Sequence, residues 1–119
     1  MIILVIYQDR TNRDYLVQIL ENEGYHTIEA PDTTEGLASY GMKPTDLVIL
    51  DASELEEHEL YKLQGFRQKF PDARIIAIVQ EHCLYEEAIT ELVNDAFQKP
   101  VSAMSLVRSV EVLLSREPT

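Results

Sequence analysis

The sequence predicts an α/β fold, a doubly wound five-stranded parallel sheet, on three observations. Apolar runs at 2–7, 46–51 and 75–79 are dense in Ile, Val and Leu, with no polar residue in their interiors. Such runs read as strands covered on both faces, since a strand with one wet face alternates instead. Each run is followed by a stretch whose apolar residues recur at helical spacing. Strand-like and helix-like stretches then alternate to the end of the 119 residues, and that alternation places crossover helices on both faces of one sheet.

The first run, Ile-Ile-Leu-Val-Ile-Tyr, empties into Gln8-Asp9-Arg10-Thr11-Asn12. There Asp9 or Thr11 can cap a helix that carries Tyr15, Leu16, Ile19 and Leu20 on one stripe and stops at Gly24. Residues 25–29 alternate, as a strand near the sheet's edge does, and Pro31-Asp32-Thr33-Thr34 opens a second helix running to about Tyr40. Gly41 and Pro44 end it. The run Asp-Leu-Val-Ile-Leu-Asp at 46–51 is the third strand, closing on Asp51. A carboxylate at the carboxyl end of a parallel strand stands where open α/β sheets place their chemistry, although a loop aspartate capping the next helix reads equally well there.

That next helix, 57–69, carries Leu60, Leu63, Phe66 and Phe70 at helical spacing, and Pro71-Asp72 punctuates it. After the strand at 75–79, residues 80–83 form a loop and 84–93 a helix with Leu84, Ala88, Ile89 and Leu92 inward. A brief strand at 96–98 meets Lys99-Pro100. A last helix, from Ser102 to about Ser115, shows Met104, Val107, Val110 and Leu114 on one stripe. Five strand-helix units favour the flavodoxin-like order 2-1-3-4-5, which sets the ends of strands one, three and five side by side. Tyr7, Gln8, Asp9, Asp51 and Lys99 then converge. No linker or repeat interrupts the chain, so residues 1–119 make one domain.

Composition narrows the function. A net charge of −11 argues against nucleic acid or an anionic membrane as a direct partner, because phosphates are bound by clustered Lys and Arg. The apolar start is too short for a signal peptide and no run approaches a bilayer span, so a cytoplasmic location is expected. Cys83 is the sole cysteine, which rules out an internal disulfide and a thiolate cluster. His26, His58 and His82 are far apart, and none belongs to a zinc-binding motif.

Arg13, the Glu-Gly-Tyr at 23–25, the stretch at 46–51 and Lys99-Pro100 carry a family pattern, in a register without gaps from the first strand to Asp51. On those residues the chain resembles the receiver domain of bacterial response regulators. The resemblance implies a two-component signalling domain, not an enzyme. In such domains an acidic pair ending strand one holds magnesium, an aspartate ending strand three accepts phosphate from a histidine kinase, and a Ser or Thr ending strand four bonds the phosphoryl group. A lysine before a cis-proline offsets its charge. Asp51 takes the phosphoacceptor position and Lys99 that of the lysine.

The other positions depart from the pattern. Tyr7 and Gln8 stand where the acidic pair should be, with Asp9 one place on, which removes the anionic charge that magnesium needs. Val79 replaces the hydroxyl residue, and Gln80 the small residue beside it, which would crowd the pocket. Leu55 and Glu59 stand where the loop usually has proline and glycine. The aromatic switch position is Ala96, unless a one-residue shift lets Phe97 fill it. The expected function is therefore a pseudo-receiver that acts through protein contacts with no resident cofactor. The alternative is a phospho-accepting receiver using Mg2+ at Asp51, with Asp9, Asp51 and Ser53, or Glu54 or Glu56, as fallback ligands.

Enzymes on the same fold fit less well. A haloacid-dehalogenase-type phosphatase needs an aspartate where Ser53 stands, a flavin site needs a Ser/Thr-rich loop after strand one, and a corrinoid site needs a histidine two after the strand-three aspartate. The expected partners are a histidine kinase or an output domain. A homodimer would use the fourth helix, fifth strand and fifth helix, where Val101, Leu106 and Val112 face either outward or into the core.

Overall fold

The computed structural model describes residues 1–115. Its elements run β1 (Ile2–Ile6), α1 (Arg10–Asn22), β2 (His26–Ala30), α2 (Thr33–Met42), β3 (Leu47–Asp51), α3 (Glu57–Lys69), β4 (Ile75–Val79), α4 (Glu86–Leu92), β5 (Asp95–Gln98) and α5 (Ala103–Ser115). The strands form one sheet in the order β2-β1-β3-β4-β5, all pairs parallel. This is the predicted flavodoxin-like fold. The alternating strand β2 lies at the edge, as its half-polar pattern requires.

Strand parity divides the core into two layers. Leu4, Ile6, Val48, Leu50, Ala77 and Val79 pack with α2, α3 and α4 through Leu37, Leu63, Phe66 and Ile89. Ile3, Val5, Tyr7, Ile49, Ile76 and Ile78 pack with α1 and α5 through Leu16, Leu20, Leu106 and Val110. Gly36 lets α2 press close to β1, for a Cβ there would lie 2.2 Å from Ile6 Cδ1. Asp32 caps α2, accepting a hydrogen bond from the Glu35 amide at 2.8 Å, and Glu56 with Glu59 forms the capping box of α3. Asp51 is thus the last residue of β3 and not a helix cap.

Several helical faces differ from the expected ones. In α5 two apolar stripes run side by side, and the sheet takes the one formed by Leu106, Val110, Leu113 and Leu114. Met104 is 69% exposed while Leu106 is fully buried, so Leu106 belongs to the core and not to an outward face. Helix α4 starts at Glu86, leaving Leu84 in the preceding loop and 82% exposed. Tyr15 also points outward from α1, where Leu16 and Leu20, with Val17 beside them, pack over β1.

Arg67 ties the end of the sheet opposite Asp51 together. Its Nε donates to the Leu92 carbonyl at 2.9 Å. Its Nη1 donates to the carbonyls of Phe70, Pro71 and Ala73 at 3.3, 3.1 and 2.6 Å. Its Nη2 reaches Asn94 Oδ1 at 3.2 Å, an atom that also accepts from the Ile75 amide at 2.8 Å. One planar cation therefore ties together two connections, from α3 to β4 and from α4 to β5. Arg67→Ala should lower stability by about 2–4 kcal/mol in urea unfolding, since the carbonyls lose a charged donor. Arg67→Lys, with a single point of donation, should recover less than half; full recovery would show that charge alone matters.

Candidate functional site

The carboxyl ends of β1, β3 and β5 meet as expected, and parity decides what each contributes. Asp51 ends β3 with its side chain 14% exposed. Its Oδ1 accepts from Ser53 Oγ at 2.7 Å and from the Ser53 amide at 3.1 Å. Lys99 follows β5, where its amide donates to the Val79 carbonyl at 2.9 Å and the Lys99-Pro100 bond is cis. Its Nζ donates to Ser53 Oγ at 2.9 Å and lies 3.4 Å from Asp51 Oδ1. Asp51, Ser53 and Lys99 thus close a triangle on one carboxylate oxygen.

Tyr7 continues the odd parity of β1 and faces the α1/α5 side, 5% exposed. Its carbonyl accepts from Arg13 Nη1 at 2.7 Å, while Arg13 Nε pairs with Glu29 at 3.1 Å, so Arg13 fixes the end of β1. Lys99 Nζ lies 5.0 Å from the centre of the Tyr7 ring. Burial pushes the Tyr7 phenol above its ordinary value, helped by the charges of Asp51 and Asp9 and opposed by hydrogen bonding with Lys99. For Lys99, burial would lower the pKa, but the bond to Tyr7 and the charge of Asp51 outweigh it and raise the value.

Gln8, of even parity, continues the side of Leu4 and Ile6, toward α2 and α3. It lines a cleft of about 60 Å³ with Asp32, Asp51, Glu54 and Glu59. Asp9 does not enter that cleft: it is the N-cap residue of α1 and its carboxylate accepts from Asn12 Nδ2. Ser53 is turned to Oδ1 of Asp51 and away from the cleft. Among the described residues, one group of three His, Cys, Asp or Glu side chains has ligand atoms within 4.8 Å of one another, namely Glu56, His58 and Glu59 at the start of α3. Asp51 belongs to no such group of three among the described residues.

The switch positions follow the same parity. Val79 is 1% exposed and packs in the α3/α4 layer, so no hydroxyl stands there. Ala96 pairs with Ala77, and Phe97 with Ile78. Ala96 accordingly lies on the α4 side and Phe97 on the α5 side; a shift that brings Phe97 to the switch position is excluded by that register. Gln80 does not crowd Asp51. It lines a second cavity, on the α1/α5 side, with Tyr7, Tyr15 and Lys99.

The profile of the response regulator receiver domain matches residues 3–111. The chain belongs to the response regulator receiver family. It is 26% identical over 117 residues to Response regulator RR06 of Streptococcus pneumoniae serotype 2, a match covering 98% of this chain and 54% of that protein. The chain thus spans about half the length of that relative. Among solved structures, TrrA of Thermotoga maritima in complex with Mg(2+)-BeF superposes with a TM-score of 0.82 at 27% identity, covering 94% of this chain and 97% of TrrA. The receiver domain of NtrX from Brucella abortus gives 0.80 at 25% identity, covering 97% and 99%. Receiver domains are signalling domains that work with histidine kinases and output domains, and they bind Mg2+ when active. No helix among the described residues is long and apolar enough to cross a membrane.

The hydroxyl of Ser53 is the site feature that sequence reasoning undervalued. Its place two residues after Asp51 was visible, but its bond to Lys99 depends on where β5 ends. Both Tyr7 and Lys99 have folded-state values above their ordinary 10.0 and 10.5. Their stabilising contributions are therefore present below those values and lost as pH rises through the folded ones. Urea midpoints should fall as pH rises past 10, and Tyr7→Phe should flatten that fall; an unchanged slope would place the alkaline sensitivity in Tyr25 and Tyr40, whose phenols burial also raises.

Proposed function

We propose that this receiver is a pseudo-receiver, signalling through protein contacts without ordinary magnesium-dependent phosphorylation of Asp51. The observation that carries the reading is that Tyr7, packed in the α1/α5 layer, and Gln8, at the cleft of Asp51, put no carboxylate beside Asp51 from the end of β1. Phosphoryl transfer to a carboxylate needs cations to offset the charge gathering on the transferring group. Here Lys99 alone approaches, and it is already held by Ser53 and Asp51. With Val79 in place of a hydroxyl, a phosphorylated Asp51 would also lack the contact that draws loops inward.

A second reading keeps Asp51 as a phosphoacceptor served by a histidine kinase. The cleft beside it favours that reading, because Asp32, Asp51, Glu54 and Glu59 all line it. Acetyl phosphate separates the two. With magnesium present, mass spectrometry should show no added phosphoryl group and beryllium fluoride should leave the Asp51 amide unshifted. A gain of one phosphoryl mass, lost in Asp51→Ala, would establish the second reading. Tyr7→Asp with Gln8→Asp should strengthen magnesium binding by at least about tenfold, as restoring two anionic ligands demands.

For the partner surface we infer the face of α4, β5 and α5. Supporting it is a groove of about 340 Å³ between β5 and α5, lined by Asp95, Phe97, Ser105, Arg108 and Val112. Val112 is 52% exposed, while Val101 is half-buried on the α1/α5 layer and Leu106 is core. An output domain, a kinase or a second copy of the chain would meet this groove. Val112→Glu should abolish self-association in sedimentation velocity without moving the melting temperature; an unchanged oligomer would remove this face from the interface.

A further inference from the structure

A cavity of about 840 Å³ is separate from the Asp51 cleft. It opens on the α1/α5 side, between the end of β1, the loop after β4 and the loop after β5. A cavity of this size is in the range of small-molecule sites, which combine an apolar wall with a few placed polar groups. Here the wall is Tyr15, Leu16, Ile78 and Val101, and the polar groups at the floor are Tyr7, Gln80 and Lys99. Tyr7 and Gln80 are two of the positions at which the chain departs from its family.

The polar lining is led by one cation. Lys99 can only donate, while the Tyr7 hydroxyl and the Gln80 amide can each donate to an acceptor ligand as well as accept. One ammonium hydrogen goes to Ser53, and the ammonium lies between the cavity and Asp51. Glu81 at the rim is directed to His82, 3.7 Å from its Nε2. The exposed ring of Tyr15, 57% accessible, has no core to fill and forms one side of the opening. A matching ligand therefore brings acceptor oxygens to the floor and an apolar body to the wall.

We propose that this cavity binds a small organic carboxylate with an aromatic or branched apolar body, its acid group held by Lys99 and its body laid against Tyr15, Leu16 and Val101. The site does not depend on whether Asp51 takes phosphate. A ligand here draws on the same ammonium that Asp51 uses, so its binding changes the electrostatics of Asp51.

The test uses the 15N-labelled chain with two pairs of probes, phenylacetate against phenylacetamide and indole-3-acetate against indole-3-acetamide. At least one carboxylate should give saturable amide shifts at Asn12, Gln80 and Val101. Its neutral amide should bind at least about tenfold more weakly, the effect of one charged contact. Lys99→Met should erase that difference, and Tyr15→Ala, at an exposed position that the fold does not need, should weaken both members of a pair. Equal binding of acid and amide would overturn the carboxylate assignment. Absence of saturable shifts at those amides with all four probes, or shifts untouched by Tyr15→Ala, would overturn the site itself.

Discussion

The period of two along a strand buried on both faces is the constraint on which this site depends. Residues 7 and 8 differ by one step along β1, yet a covered strand sends them into different layers of the molecule. Tyr7 enters the α1/α5 layer and meets Lys99, whereas Gln8 lines the cleft of Asp51. In a receiver with two acids at these positions both can lean toward one metal, because short carboxylates at the end of a strand are drawn by the ion. A phenol cannot follow. Its ring is too large to leave a packed layer without opening a void of several kcal/mol in the core.

The triangle of Asp51, Ser53 and Lys99 is a consequence. With no carboxylate beside it from the end of β1 and no hydroxyl from Val79, Asp51 satisfies its Oδ1 from within its own loop and from Lys99. Burial lowers the pKa of Lys99, and the phenol and carboxylate that flank it more than offset that and raise it. Ser53 makes the pair three-cornered, fixing the geometry of the lysine more firmly than a partly exposed ion pair would do by itself.

Much of this was legible in the sequence. Continuous apolar runs marked β1, β3 and β4 because nothing else in a chain of this composition requires unbroken Ile and Val, and the alternation of elements gave the strand order. Parity also placed Asp51 and Lys99 together. What stayed hidden has physical reasons. Helix α5 carries apolar residues on two adjacent stripes, and only the position of the sheet selects Leu106 over Met104. The choice between Ala96 and Phe97 rested on the pairing of β4 with β5, a register set by tertiary contacts. Arg67 gave no signal, for its role lies in carbonyls far along the chain, contributed by loops whose approach no local pattern encodes.

The departures from the receiver pattern also fall into a spatial order that the linear sequence conceals. Gln8 and Val79 border or underlie Asp51, and both subtract, one a charge and the other a hydroxyl. Tyr7 and Gln80 line the cavity on the α1/α5 side, and both bring polar groups where an acid and a small residue would have left it differently shaped. Lys99 is common to the two groups, with its ammonium on the Asp51 carboxylate and its side chain lining the cavity. A side chain held between two sites couples them through its own charge, since whatever changes the field at one end changes it at the other. The same lysine that answers a phosphoryl group in an ordinary receiver is therefore placed, in this chain, to answer from its other side.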